Sequence, residues 1–201
     1  MTISDIITNN ILPQLDDIAA DNWFADTLFP YVVEAVYEII RERPSAYPVT
    51  ADLSLVAGAV QDIGTTYVGW ISAVCNISGS SAPDKEIAEI SKEHMDKRHP
   101  GWMTDTGNAT AKFVMREEAD PRVFYIYPQR LVSPGKIRMI VSQIPTIAST
   151  SSAFPLDEIY LPAVVDWTLA RAIMDDRTVQ DGKDRAKLYM EKFYKDLAGA
   201  K

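Results

Sequence analysis

Two histidines, His94 and His99, and one cysteine, Cys75, are the side chains here best suited to hold a metal or attack a substrate. The histidines stand five residues apart in His94-Met-Asp-Lys-Arg-His99, a spacing that does not align two ligands on one helical face as i, i+4 does. His94 falls on the apolar stripe of a predicted helix and reads as a partly buried histidine with a local hydrogen bond. His99 precedes Pro100 and reads as that helix's end. Cys75 lies in an apolar, strand-like run with no second cysteine, and so reads as a small buried hydrophobe. The carboxylate pairs Asp16-Asp17, Glu117-Glu118 and Asp175-Asp176 fall at predicted element ends, where adjacent side chains diverge; capping and solvation account for them. The sequence holds no GxGxxG, GxxxxGK[ST] or GxSxG, so phosphate cradles and the nucleophile elbow have no signal. No catalytic, cofactor-binding or metal-binding residue is therefore assigned, and no cofactor is expected.

Trp23, Trp70, Trp102 and Trp167, with Phe124-Tyr125-Ile126-Tyr127, could stack on nucleic-acid bases. Stacking platforms need flanking cations, and here Glu117, Glu118 and Asp120 oppose Arg116, Arg122 and Arg130. Core or interface anchoring is the better reading. Twenty basic against 28 acidic residues give a net charge of −8, which lacks the electrostatic footprint of a protein that grips phosphates. The imbalance is local. Asp5, Asp16, Asp17, Asp21, Asp26, Glu34 and Glu38 all precede the first base, Arg41. Such a segment is either a solvated acidic helix face or a surface that meets a basic partner or repels DNA.

The elements that must position these residues fit one domain, since 201 residues with 47% hydrophobic content support a single substantial core. No apolar run approaches the ~20 residues that cross a bilayer. A lone cysteine and no basic-plus-apolar leader segment predict synthesis in a reducing cytosol. Ile7, Ile11, Leu15 and Ile18 recur at helical spacing from Ser4 to Ala20, with Pro13 predicting a kink or a break. Thr27 is the expected N-cap of a second helix, with Pro30 in its first turn and its end near Pro44. Val49 to Leu55 and Val60 to Ile63 predict a β-hairpin turned at Val56 to Ala59, and Tyr67 to Ile77 a further strand. Ser78 to Pro83 reads as a loop, Asp84 to Arg98 as a helix with the stripe Ile87, Ile90, His94 and Met95, and Gly101 to Thr110 as an exposed loop. Ala111 to Glu117, Val123 to Tyr127 and Lys136 to Ser142 predict an antiparallel meander, and Ile144 to Phe154 a connector. Helices over Asp157 to Asp176 and Asp181 to Ala198 close the chain. The expected class is α+β: N- and C-terminal helices, residues 1–45 and 156–198, bundle together and present a central antiparallel sheet, residues 46–145, with one short helix near 84–98. The bundle should bury Tyr37, Trp167, Phe193 and Leu197.

The ordered set of segments resembles the tailed-bacteriophage head-tail adaptor family, the connector or neck subunits that dock beneath the portal. The resemblance rests on Val33-Glu-Ala-Val-Tyr-Glu-Ile-Ile-Arg-Glu-Arg-Pro-Ser-Ala-Tyr47, Leu53-Ser-Leu-Val-Ala-Gly-Ala-Val-Gln61, Asp120-Pro-Arg-Val-Phe-Tyr-Ile-Tyr-Pro128 and Lys136-Ile-Arg-Met-Ile-Val-Ser142. It continues through Leu156-Asp-Glu-Ile-Tyr-Leu-Pro-Ala-Val-Val-Asp-Trp-Thr-Leu-Ala-Arg-Ala172 and Arg185-Ala-Lys-Leu-Tyr-Met-Glu-Lys-Phe193. The chain departs from the family's pattern between Gln61 and Asn76, where Asp62-Ile-Gly-Thr-Thr-Tyr67 stands in place of a Leu-Pro turn.

That resemblance implies a non-enzymatic, dodecameric ring in the virion neck, made in the host cytoplasm and lining a channel that double-stranded DNA crosses without specific binding. The implied partners are the portal protein, a tail, nozzle or second neck protein, and further copies of this chain, with no membrane. Neck adaptors commonly attach to the portal through terminal segments. The slightly basic C-terminal end therefore supplies the docking candidates Lys192, Lys195, Leu197, Ala198, Gly199, Ala200 and Lys201. Trp102, Met103, Thr104 and Asp105 are candidates for a subunit or tail interface, in a loop that, like Ser78 to Pro83, is expected to order against neighbours. The competing class is an acidic cytoplasmic protein-binding module without enzymatic activity, and a third reading is an enzyme with an unrecognised site.

Overall fold

The computed structural model describes residues 1–78, 82–130, 135–176 and 182–199. The chain forms two compact units, one from residues 1–46 and 145–201 and the other from residues 47–144. The class is α+β.

In the helical unit, Thr2 opens α1 (Ile3–Ile6) with a capping box: its hydroxyl accepts from the Asp5 N–H, and the Asp5 carboxylate accepts from the Thr2 N–H at 2.7 Å. The segment breaks into more pieces than Pro13 alone predicts, running on as a π turn (Ile7–Ile11) and a 3-10 turn (Leu12–Leu15). It stops at Asp16, whose φ of +58° no helix continues. Ile18 thus leaves the predicted stripe and stands 75% exposed. Helix α2 (Ala25–Glu42) starts two residues before Thr27, with Phe24 as a cap that makes no side-chain bond, so Pro30 sits on the exposed face in the helix interior. The carbonyl of Phe24 accepts from both Thr27 and Leu28, which takes the capping task away from Thr27.

Helix α4 (Leu161–Asp175) follows a 3-10 turn capped by Asp157 and is buried all round from Ala163 to Ala170, as a helix covered on every side must be. It packs against α2 and against α5 (Gly182–Gly199). Tyr31 donates to Asp175, and Arg171 pairs with Glu34 at 3.0 Å, so α4 runs antiparallel to α2. Trp167 meets Phe193 at 4.9 Å between ring centres. Trp167, Phe193 and Leu197 are buried as expected; Tyr37 is not, being 40% exposed on the outer face of α2. The connector before α4 is pinned to the N-terminus, because Ile3 and Ser4 donate to the carbonyls of Ser152 and Thr150.

The β-rich unit departs further from the expected meander. Its described strands form two four-stranded sheets, in the orders β1-β8-β3-β4 and β2-β7-β6-β5. The first contains β1 (Pro48–Ser54), β3 (Tyr67–Ser78), β4 (Ala82–Glu86) and β8 (Lys136–Gln143). The second contains β2 (Gly58–Asp62), β5 (Ala88–Glu89), β6 (Phe113–Arg116) and β7 (Val123–Arg130). The expected hairpin does not form: β1 pairs with β8 and β2 with β7. Gln61 explains the crossing. It is 3% exposed, its amide oxygen accepts from the Val56 N–H at 2.8 Å, and its amide nitrogen donates to the carbonyls of Val56 and Gly58, both at 3.0 Å. With Gly58 at φ +105°, this closes a wide bend that carries the chain from one sheet to the other instead of doubling it back. The meander likewise splits, with β6 and β7 pairing while β8 inserts between β1 and β3.

The predicted helix over Asp84 to Arg98 is strand in its first part and helix only at α3 (Lys92–Arg98). Ser91 supplies the cap, accepting from the His94 N–H at 3.1 Å. Residues 79–81 of the expected Ser78 to Pro83 loop, residues 131–134 between the last two strands of the expected meander and Asp181 at the expected start of the last helix lie outside the described residues.

Candidate assembly surface

The second sheet of the β-rich unit is covered on both faces, which decides where its aromatic residues go. Phe124 and Ile126 of β7 and Val114 of β6 join Trp70, Ile137, Met139 and Val141 in a core shared by the two sheets. Tyr125, Tyr127, Phe113 and Met115 point the other way, to a second core with Met95 and Trp102. Gly101, at φ +84°, turns the chain after α3 into a 3-10 turn (Trp102–Thr104) that puts Trp102 beneath the helix. Trp102 is 2% exposed, its indole N–H donates to Asp96 at 2.7 Å, and the rings of Tyr125 and Tyr127 meet it edge-on. It anchors this chain's own core, so of the four candidates in that loop only Met103 and Thr104 are exposed.

Asp105 is held by a staple. Its carboxylate bonds the His99 ring nitrogen and accepts from the Tyr127 hydroxyl at 3.0 Å, while its carbonyl accepts from Gln129. The hydrogen bonds from His99 and then Tyr127 hold the Asp105 carboxyl below the usual carboxylate range; burial and then Asp105 push the Tyr127 phenol up. By type the trio could move protons, but its members spend their polar atoms on one another. No Ser, Cys or Lys side chain among the described residues is bonded to it. His94 is exposed, not partly buried, because α3 begins too late to carry the predicted stripe. His99 does end that helix, and Cys75 is buried.

Beside α3 lies a groove of about 610 Å³ lined by Glu89, Lys92, Asp96, Arg116, Glu117 and Glu118, among others. Most of its charges have partners within the unit. Arg116 lies 3.9 Å over the Trp70 ring, donates to the carbonyls of Trp70 and Ile71, and pairs with Glu89 at 3.4 Å. Glu117 accepts from Tyr125, and Asp96 accepts from Trp102 and Lys92. The described residues hold no cluster of three or more His, Cys, Asp and Glu side chains that could bind a metal.

On α5, Lys192 pairs at 3.5 Å with Asp166, a carboxylate buried on α4. Burial pushes the Asp166 carboxyl above its ordinary range against the pull of Lys192. Leu197 is 4% exposed and belongs to the core. Arg43 donates to the carbonyl of Ala198 at 3.1 Å, which ties off the helix end. Lys195, Ala198 and Gly199 are exposed, and Ala200 and Lys201 lie outside the described residues.

Sequence reasoning missed the segment between the first helical turns and α2. Asp17, 6% exposed, accepts from the backbone N–H groups of Asp21, Asn22 and Trp23 at 3.0, 3.0 and 2.6 Å. Burial alone would raise this carboxyl, but the backbone donors outweigh it and hold it low. The clamp keeps Ala20 at φ +57°, a conformation L-residues rarely adopt, and leaves Ile18 75% and Phe24 61% exposed. The signal in the sequence was the placing of apolar residues among Asp16, Asp17, Asp21 and Asp26, off the helical period. The other pairs do what adjacent carboxylates at element ends do, Glu117 accepting from Tyr125 and Asp175 from Tyr31.

No helix among the described residues is long and apolar enough to cross a membrane. No curated protein is a significant match to the chain. The profile of the SU10 adaptor protein family matches residues 1–201, the whole length. The chain belongs to that family, a family of phage head-tail adaptor proteins.

Proposed function

We propose that this protein is a non-enzymatic subunit of a dodecameric ring in the virion neck. There it docks beneath the portal protein, carries a tail, nozzle or second neck protein below, and lines a channel for double-stranded DNA. The observation that carries this reading is the family match over all 201 residues. The net charge of −8 supports it, because a wall that bound phosphates tightly would hold back a genome that has to slide. Of the side chains that could do chemistry, His99, Cys75 and Asp17 are taken up by a staple, a core and a backbone clamp.

The exposed end of α5, with Lys195, Ala198 and Gly199, is the proposed portal contact, its charges aiding encounter more than final affinity. Met103 and Thr104 are proposed to face a neighbouring subunit or the tail. Copurification with the portal protein of the same phage tests the reading. A stable complex, weakened by deleting residues 198–201 while the fold persists, is expected. A portal that captures none of the full-length protein overturns it.

A further inference from the structure

We infer that neighbouring copies of this chain meet through two unlike patches of the helical unit, the Asp17-clamped loop of one copy and the outward face of α5 of the next. The inference rests on the ring reading above and assigns it a contact. Ile18, at 75%, is the most exposed large hydrophobic side chain among the described residues, and Phe24 and Leu188 are each 61% exposed. Asp16, Asp21 and Asp26 around the loop make no ion pair with a described residue. Residues 1–40 hold no base that could neutralise them.

The complement lies on the same unit. Helix α5 has five basic against three acidic side chains, whereas α2 and α4 are each net acidic. It turns Ala186, Phe193 and Leu197 inward, which leaves Leu188 on the opposite face with Asp184 and Arg185 to either side, and the first half of the helix carries Lys183, Arg185 and Lys187 against Asp184 alone. Arg185 is likewise unpaired among the described residues. One patch is thus apolar and acidic, the other apolar and net basic.

Their placement suits a ring. Helix α4 packs against both α2 and α5, with α5 turning its outer face away from α4. Arg43 at the end of α2 reaches Ala198 at the end of α5, so those helices run in the same direction and their starts share one end of the unit. The clamped loop leads into the start of α2, and Arg185 and Leu188 lie near the start of α5. Two unlike patches at one level make a head-to-tail contact, which closes into a ring when the rotation between copies allows. The contact uses the first half of α5 and leaves its last turn for the portal.

Charge reversal tests the pairing on the full-length protein, with assembly followed by mass photometry, alone and on portal rings. Asp21→Lys with Asp26→Lys, and separately Arg185→Glu, should each raise the concentration needed for self-assembly about tenfold or more. All three changes in one chain should restore it. Ile18→Cys mixed with Leu188→Cys should form a mixed disulfide that neither variant forms alone. Assembly at the parent's concentration by the single-patch variants, or cross-linking that ignores the pairing, overturns this contact and leaves the ring standing. A parent that stays monomeric alone and on portal overturns both.

Discussion

In the helical unit one helix, α4, is wrapped by its neighbours, and several large apolar side chains are left at the outside, among them Ile18, Phe24, Met174 and Leu188. In the β-rich unit one sheet is covered on both faces, and Trp70, Trp102 and Phe124 are all consumed inside it. Among the described residues its large exposed apolar side chains include no aromatic ring: Val56, Val60, Val74, Met103 and Ile144. Enough aromatic surface to fill two cores leaves little to offer a partner, whereas a bundle built round a central helix has outer faces to spare. The difference leaves more apolar surface outside on the helices than on the β-rich unit, whose aromatic residues fill its own cores.

The sharpest way to break that contrast is to truncate a core anchor in each unit. Phe193→Ala and Trp102→Ala should each cost about 3–5 kcal/mol in chemical denaturation. Trp102 would cost under about 1 kcal/mol if it were an interface residue waiting for a neighbour. Gln61→Ala should cost about 1–3 kcal/mol, because it leaves the backbone groups of Val56 and Gly58 without partners in the bend that joins the two sheets. An unchanged unfolding midpoint would mean that the crossing is held by something else.

Asp166 sharpens the helical side through pH. Its carboxyl is raised in the folded chain, by burial first, so the folded state holds that proton more tightly than the unfolded one. Its contribution to stability therefore falls as pH climbs from the ordinary carboxylate value of 3.8 through the raised folded value. The stability of Asp166→Asn relative to the parent should increase across that window in urea titrations at stepped pH. A difference that stays flat would mean that Asp166 titrates normally. The smallest effect is expected at Tyr37, where Tyr37→Ala on the exposed face of α2 should shift stability by less than about 1 kcal/mol.

The last two helices were legible because their signal is local. Ala186, Phe193 and Leu197 repeat at helical spacing whatever else the chain does, and their burial follows. Pairing of strands was not. Val49 to Leu55 alternates correctly for a strand, but nothing within those residues says that the partner is β8, some ninety residues on, and not β2 next door. The deciding group was a buried glutamine side chain bonded to the backbone of the bend, which periodicity does not register. Core anchoring of Trp102 was one of the readings its type allowed, but its small and polar neighbours made the segment look like an interface loop, while a single positive-φ glycine turned it under α3. At the proposed assembly surface, the charge contrast between the acidic start and the basic last helix could be read directly. The clamp by which Asp17 shapes its loop needed coordinates.

Electron microscopy of the protein bound to portal rings of the same phage tests the central claim most directly. The account predicts a closed ring of this chain stacked on the portal, coaxial with its channel, with the clamped loop of each copy against α5 of the next. Isolated copies scattered on the portal, or a portal left bare at saturating protein, would contradict it.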